Sequence, residues 1–378
     1  MPRSSPWAAR GFAASTLFFW AALYVYVPIL PVYAQSLGAS LEVVGLVVSA
    51  YGFSQLILRI PVGLASDRLG RRKLLCGAGY LIGGLACAAL LLAPSPTWLV
   101  AGRAVAGIAA AFWVVISVTY SDYWPSDQLP RAMALLTALS GLAQLLSTSA
   151  GGWLADTLGW SAPFVAGIAL SAAGTILLTG VPEPRKARSL PLTWSRALQV
   201  GRNRHLLRVA LVAALFEFAF WATTYTFVPV WASNLGASRT TLGLLTSVTL
   251  VAYTIAAFGV SRWVTPRRAT RFALAGLVIC ALTAAIVPAI HQIALLEGSQ
   301  ALGGLGRGLA MSVLIGMSIQ KAEPDEKATA MGVFQAIYAV GMFLGPASAG
   351  FVAQALGPSG AFVLSAAMCI VAAVVLLV

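Results

Sequence analysis

Gly63-Leu64-Ala65-Ser66-Asp67-Arg68-Leu69-Gly70-Arg71-Arg72-Lys73 is a short polar string set between two apolar runs, Val43 to Leu64 and Leu74 to Ala93. Each run is about 20 residues long, which is what an α-helix needs to cross a ~30 Å hydrocarbon core. The bilayer therefore lies on both sides of the string. Gly63 and Gly70 permit a tight turn, and Arg68, Arg71, Arg72 and Lys73 hold it on one aqueous face.

The composition agrees with that solvent. Of 378 residues 59% are hydrophobic and only 9% charged, with a mean hydropathy of +0.87; a soluble domain carries about 25% charged residues. In lipid only helices and closed barrels satisfy the backbone. Barrel strands would alternate apolar and polar positions over ~10 residues, whereas the runs here are long, unbroken and rich in Leu, Ala and Gly. The net charge of +13 is read as loop lysines and arginines facing the cytoplasm, not as a nucleic-acid surface. Cys76, Cys87, Cys280 and Cys369 all fall inside apolar runs without metal-ligand spacing, as small buried hydrophobes do; neither a disulfide nor a metal site is expected.

The first apolar run, Gly11 to Tyr33, follows Arg3 and Arg10 and ends in Val32-Tyr33-Ala34, like a signal peptide. It is longer than a signal core, and its end recurs in mid-chain. Pro31-Val32-Tyr33-Ala34-Gln35-Ser36-Leu37-Gly38-Ala39-Ser40 is echoed 198 residues later by Pro229-Val230-Trp231-Ala232-Ser233-Asn234-Leu235-Gly236-Ala237-Ser238. The run is thus a retained helix. Gly152-Trp153-Leu154-Ala155, Leu158-Gly159 and Phe164 pair at the same offset with Gly350-Phe351-Val352-Ala353, Leu356-Gly357 and Phe362, and Gly102 and Gly107 pair with Gly298 and Gly304 at about that offset.

A duplicated chain with six runs per copy predicts an all-α integral membrane protein of twelve transmembrane helices in two pseudo-symmetric six-helix bundles. The bundles are expected over 1–181 and 206–378, joined by a polar linker, 182–205. The helices are expected near 11–34, 43–65, 73–93, 97–120, 132–155, 160–181, 206–233, 241–264, 269–289, 292–318, 328–353 and 359–378. Arg3, Arg10, the Arg68–Lys73 group, Arg131, the linker cations through Arg208, Arg262, Arg267, Arg268, Arg271, Lys321 and Lys327 share one side; Arg239 stands on the other. That bias puts both termini in the cytoplasm of a multi-pass protein of the cell (inner) membrane.

The order Gly-x-x-x-Asp-Arg-x-Gly-Arg-Arg over Gly63, Asp67, Arg68, Gly70, Arg71 and Arg72 resembles the signature between the second and third helices of major facilitator superfamily transporters. With the twelve helices and the linker, the chain is closest in pattern to the bacterial drug/proton antiporter-like group. The resemblance implies that Asp67 and Arg71 help latch the halves on the cytoplasmic side, with Asp122, just past the fourth helix, as a partner for Arg71. The matching string of the second half, Thr265-Pro266-Arg267-Arg268, lacks the acid and the glycines.

Charges inside the membrane are costly and mark function or a paired interior. Arg59, Arg103, Glu217 and Arg307 are the candidates. Burial favours the neutral form of a carboxyl, which suits a group that must take up and release a proton, and Glu217 is the only acid well inside a helix. The other reading of Glu217 is a structural ion pair with an arginine. Arg103 opens Arg-Ala-Val-Ala-Gly, which resembles the family's fourth-helix motif, whose arginine is linked to proton transfer; Arg307 lies in the matching tenth helix. Arg59 is read as snorkelling or packing.

Glu217, Trp221 and Thr224 share a helix face by i, i+4, i+7 spacing, with Tyr225 beside them. Trp20 and Tyr24 do the same on the first helix, and Gln335 and Tyr338 on the eleventh. With Gln144, these residues are the candidate substrate cavity: aromatic walls with few polar groups suit an amphipathic or organic-cation substrate. Gly341-Met342-Phe343-Leu344-Gly345-Pro346 and Gly350 form a small-residue face for close helix approach. They resemble the family's antiporter motif, displaced from the fifth helix to the eleventh, while Leu146–Gly152 on the fifth keeps only the glycine pair.

The sequence thus points to a secondary transporter of small organic molecules by alternating access, expected to run as H⁺-coupled efflux of hydrophobic or amphipathic compounds. H⁺-coupled uptake of a polar metabolite or organic anion, and lipid translocation, are the alternatives. The expected partners are a small-molecule substrate and the bilayer, with no cofactor beyond the coupling proton, no nucleic acid, and a monomeric state. An enzyme is not expected: the two histidines, His205 and His291, stand at helix ends, and no HExxH, paired aspartate or GxSxG occurs. No filter-like loop or ring of like charge suggests a channel.

Overall fold

The computed structural model describes residues 6–125, 128–184, 199–265, 267–320 and 327–378. Arg3, residues 185–198 of the linker, Pro266, Lys321 and the side chains of Asp67 and Lys327, which enter the expectations above, lie outside the described residues. The secondary structure described is helical throughout. In chain order the helices are α1 (Pro6–Tyr24, continued by Leu30–Ser36), α2 (Leu41–Leu69), α3 (Arg72–Leu91), α4 (Pro96–Ala111, continued by Trp113–Ser121), α5 (Leu129–Leu158) and α6 (Ala162–Gly180). There follow α7 (Arg204–Ala222, a π-helical turn Thr223–Phe227, then Val228–Asn234), α8 (Arg239–Trp263), α9 (Ala269–Ile286), α10 (Ile293–Gln320), α11 (Lys327–Leu356) and α12 (Pro358–Leu377).

Eleven helices among the described residues are long and apolar enough to cross a membrane. The twelfth crossing is α1, which is interrupted at residues 25–29. Pro28 and Pro31 withhold two amide donors there, so the chain turns through Tyr26 and Val27 before Leu30 N bonds Tyr26 O at 3.1 Å. The second copy meets the same difficulty before Pro229 with a π turn, in which the Thr226 hydroxyl donates to Trp221 O at 2.8 Å. Leu81, Leu85, Ile176, Phe258, Leu282 and Ile370 are exposed on the outer surface, a belt too apolar for water and suited to acyl chains.

The 198-residue echo encodes a helix–turn–helix. Gly38 (φ 90°) and Gly236 (φ 83°) take the left-handed conformation that ends the first helix. Ser40 and Ser238 then cap the next one, accepting from Val43 N at 3.3 Å and Thr241 N at 3.2 Å.

Helices α1–α6 pack on one another, as do α7–α12, and the two sets meet along two seams, α2 on α11 and α5 on α8. Each seam brings a pair of glycines together, backbone against backbone. A Cβ on Gly45 would lie 2.8 Å from Gly350 Cα, and one on Gly152 would lie 3.0 Å from Gly243 Cα. Polar contacts close both seams near Arg239: Leu41 N donates to Gln354 Oε1 at 3.1 Å, Thr240 Oγ1 to Asp156 Oδ2 at 2.8 Å, and Arg239 Nη1 to Ala155 O at 2.6 Å. Gly141 and Gly332 lie on the same helix stripes toward the Gly70 end, yet a Cβ there would meet nothing within 4 Å. The seams are sealed at the Arg239 end and splay toward the Gly70 end.

Two expectations need correction. The string Gly63–Lys73 is mostly helix, because nothing breaks α2 before Gly70, whose φ of 66° ends it. Gly63 is therefore not a turn residue; it faces the Val114 side chain. The pairing of Gly102 with Gly298 also fails: Gly102 packs on Leu90 while Gly298 faces open space. Gly107 and Gly304 do correspond, lying against Ser54 and Ala252, which are themselves 198 residues apart.

Candidate functional site

The deepest charges come from α7 and α10. Glu217 is 1% exposed. Its Oε1 lies 2.9 Å from Arg307 Nη2, and its Oε2 accepts from Trp221 Nε1 at 2.9 Å, one helical turn along the same face. The Arg307 guanidinium rests 3.6 Å over the Phe220 ring. Carboxylate, guanidinium and indole thus form one unit, and a buried acid of this kind persists only when so partnered.

Aromatic rings carry the unit across the boundary between the two helix sets. Trp221 stacks on Tyr51 of α2 at 5.4 Å and 22°, and packs on Tyr225 at 4.8 Å. Tyr225 meets Tyr24 of α1 edge-on at 6.2 Å, Tyr24 meets Trp20 at 5.7 Å, and Trp20 meets Trp113 of α4 at 5.2 Å. Offset and edge-to-face contacts of this sort give a rigid apolar wall. Beyond Tyr51 lies Arg103, its guanidinium 4.2 Å from the Tyr51 centroid and its Nη1 donating to the Tyr26 hydroxyl at 3.2 Å.

The structure therefore brings Trp20, Tyr24, Glu217, Trp221, Tyr225 and Arg307 together, with Arg103 at the far side of Tyr51. The other candidates make further contacts. Gln335 accepts from Arg59 Nη1 at 3.3 Å, and Arg59 Nη2 donates to Gln55 Oε1 at 2.6 Å, so Arg59 bridges α2 and α11 rather than snorkelling. Tyr338 packs edge-on against Phe334 at 5.5 Å. Gln144 is half-buried on α5, one turn from Thr148, whose hydroxyl lies 3.0 Å from that of Ser247 on α8.

At the Gly70 end, Asp122 is held by Arg72 Nη1 at 2.6 Å, with 4% and 5% of the two side chains exposed. The expected partner, Arg71, is exposed. The reason is register: Arg71 occupies the turn before α3, while Arg72 is the first residue inside it and faces the end of α4. Lys73 Nζ donates to Thr179 O at 2.9 Å, and the Tyr123 hydroxyl to Pro182 O at 2.7 Å, tying the start of the linker to this end.

Sequence reasoning missed Tyr51, Tyr26 and Phe220, which connect the charged groups. Nothing in an apolar run distinguishes a ring that bridges two bundles from one that packs within its own. It also missed Gly45 and Gly243, although the 198-residue offset that revealed Gly152 and Gly350 relates them too.

Known proteins bear on this geometry. A transporter of Methanocaldococcus jannaschii, MJ1560, described as an uncharacterized MFS-type transporter, is 22% identical over 92% of each chain. The multidrug resistance protein MdtM of Escherichia coli K12 is 27% identical over 53% of this chain and 52% of its own. A bacterial homologue of the human lysosomal transporter Spinster, crystallised inward-facing and occupied, superposes with a TM-score of 0.84 at 15% identity, covering 100% of this chain and 97% of its own. The sequence profile of the Major Facilitator Superfamily matches residues 12–235 and again 209–378. With two overlapping matches that together span the repeat, and a fold that places its charges between two six-helix sets, this chain belongs to the Major Facilitator Superfamily.

Proposed function

We propose that the chain is a proton-coupled carrier that exports small amphipathic organic molecules by alternating access. Two bodies, residues 1–181 and 206–378, rock about the aromatic wall while the linker 182–205 keeps them together. The excess of positive charge at the Gly70 end assigns that end to the cytoplasm; the state described is then open inward and sealed at the outer face. The observation that carries the reading is Glu217, the one acid deep in a span among the described residues, engaged at once by Arg307 and by the indole of Trp221.

A carboxylate released by its arginine accepts a proton; one re-engaged by it gives the proton up. Exposing Glu217 to opposite faces in the two states would couple that exchange to rocking. The apolar wall from Trp20 to Tyr225 suits the body of a hydrophobic substrate, and the similarity to MdtM, named for multidrug resistance, supports the outward direction.

The test is proton flux in proteoliposomes loaded with pyranine, using 2-naphthalenesulfonate and (2-naphthylmethyl)trimethylammonium as permanently charged probes. We expect a probe-dependent proton flux under an imposed pH gradient. Glu217→Gln should abolish that flux and leave probe–probe exchange intact. Undiminished flux in the Gln variant would remove Glu217 from the coupling.

A further inference from the structure

Arg103 is 1% exposed and, among the described residues, lies in no ion pair. Its Nη1 reaches only the Tyr26 hydroxyl, its Nε has no partner, and its positive face is covered by the Tyr51 ring. A guanidinium does not deprotonate in proteins, so this charge is present in every state of the molecule. The acid best placed to neutralise it, Glu217, is already engaged by Arg307 and Trp221.

Packing does not explain the arginine. Gly107 and Gly304 are structurally equivalent, so Arg103, four residues before Gly107, corresponds to Gln300; Tyr26 corresponds to Thr224 at the 198-residue offset. Gln300 and Thr224 line a cavity of about 30 Å³ in the second half, room for water. A neutral side chain therefore serves this position in one copy and even leaves space. In the other copy the same place is filled by a cation that lacks a counter-charge.

A second cation points the same way. Arg59, 8% exposed, bonds only the neutral carboxamides of Gln55 and Gln335 among the described residues. With Glu217 and Arg307 cancelling, the boundary between the halves carries a net positive charge. Such a site selects anions, and a guanidinium fork matches carboxylate and sulfonate oxygens.

We infer that Arg103 docks the anionic group of an amphipathic organic substrate, whose apolar body lies on Trp20, Tyr24, Trp221 and Tyr225. The inference rests on the carrier reading of the same site and narrows its substrate class from amphipaths in general to organic anions. Tyr51, stacked between Arg103 and Trp221 at 4.2 and 5.4 Å, is the ring that must move to admit the anion.

The test is calorimetric titration of the full-length protein in lipid nanodiscs with the same two naphthalene probes. Wild type should bind the sulfonate more tightly than the trimethylammonium. Arg103→Gln, which copies the residue at the equivalent position, should weaken the sulfonate about thirtyfold or more, as loss of one partner of a buried charge pair does, and spare the cation. Arg59→Gln, which removes a charge that makes no contact with the docked anion, should weaken the sulfonate less than Arg103→Gln does. No sulfonate binding by wild type, equal or tighter binding of the cation, a preference that survives Arg103→Gln, or a larger loss in Arg59→Gln than in Arg103→Gln would each overturn the assignment. Should the Gln variant fail to fold, Arg103→Lys keeps the charge without the fork, and unchanged sulfonate affinity would overturn it equally. Sulfonate binding through Arg103 without any proton flux would refute the coupled carrier and leave this site standing. Glu217-dependent flux with the trimethylammonium and no sulfonate binding would do the reverse.

Discussion

At the scale of single residues, the Glu217–Arg307 pair shows how a sequence reads differently once its neighbours are known. In the sequence, Glu217 stands out by solitude and Arg307 by depth; the 2.9 Å contact makes each the reason the other is tolerated. Removing one side of such a pair leaves an uncompensated charge and costs about 3–5 kcal/mol, whereas removing both often costs less. We therefore expect Glu217→Ala and Arg307→Ala each to lower the thermal midpoint in detergent more than the double variant does. Additive losses would show that the two side chains act independently. The same logic applies to Arg72 and Asp122, where Arg72→Gln should destabilise the Gly70 end while Arg71→Gln, at an exposed position, should not.

Helices and their seams hold the next level of information. Gly45, Gly152, Gly243 and Gly350 are backbone-to-backbone crossing points, so a side chain at any of them must separate two helices. Gly152→Val should open the α5–α8 seam by overpacking worth about 1–3 kcal/mol, shifting the population toward the state open at the Arg239 end. Accessibility of a cysteine placed at Ser247, buried on this seam, checks this; unaltered protection would mean the seam does not limit closure. The breaks in α1 and α7 are a second element-scale device. Prolines 28, 31 and 229 unwind both copies beside Tyr26, Tyr24 and Tyr225, placing irregular backbone only where it is buried in protein. Thr226→Val, which loses the hydroxyl that bonds Trp221 O, should cost about 1 kcal/mol, and an unchanged thermal midpoint would show that the π turn does not need it.

For the whole molecule, the asymmetry between its ends is the feature that the proposed rocking of the halves would reverse. The two seams seal near Arg239 and diverge toward Gly70, and the rings of the wall, Trp20, Tyr24, Trp221 and Tyr225, are buried between them. A disulfide engineered between Asp156→Cys and Thr240→Cys, whose native oxygens are 2.8 Å apart, should lock this state and abolish transport until reduced. Full transport by the fully cross-linked protein would exclude rocking of the halves.

Much of this was open to reading from residues alone. The solvent, the helical class, the duplication and the string around Asp67 follow from composition, run length and a recurring spacing, because hydration of the backbone and of single charges is a local property of the chain. Gln335 and Tyr338 share a helix face by spacing, yet Gln335 is engaged by Arg59 and Tyr338 packs on Phe334, since a helix face does not say which neighbour it meets. Likewise Arg71 and Arg72 are indistinguishable as letters, and one residue of register decides which of them reaches Asp122. Tertiary structure alone could settle that Arg307 and not Arg103 takes the single deep carboxylate. Pairing of charges depends on distances between helices far apart in sequence, and those are set by which glycines let backbones touch.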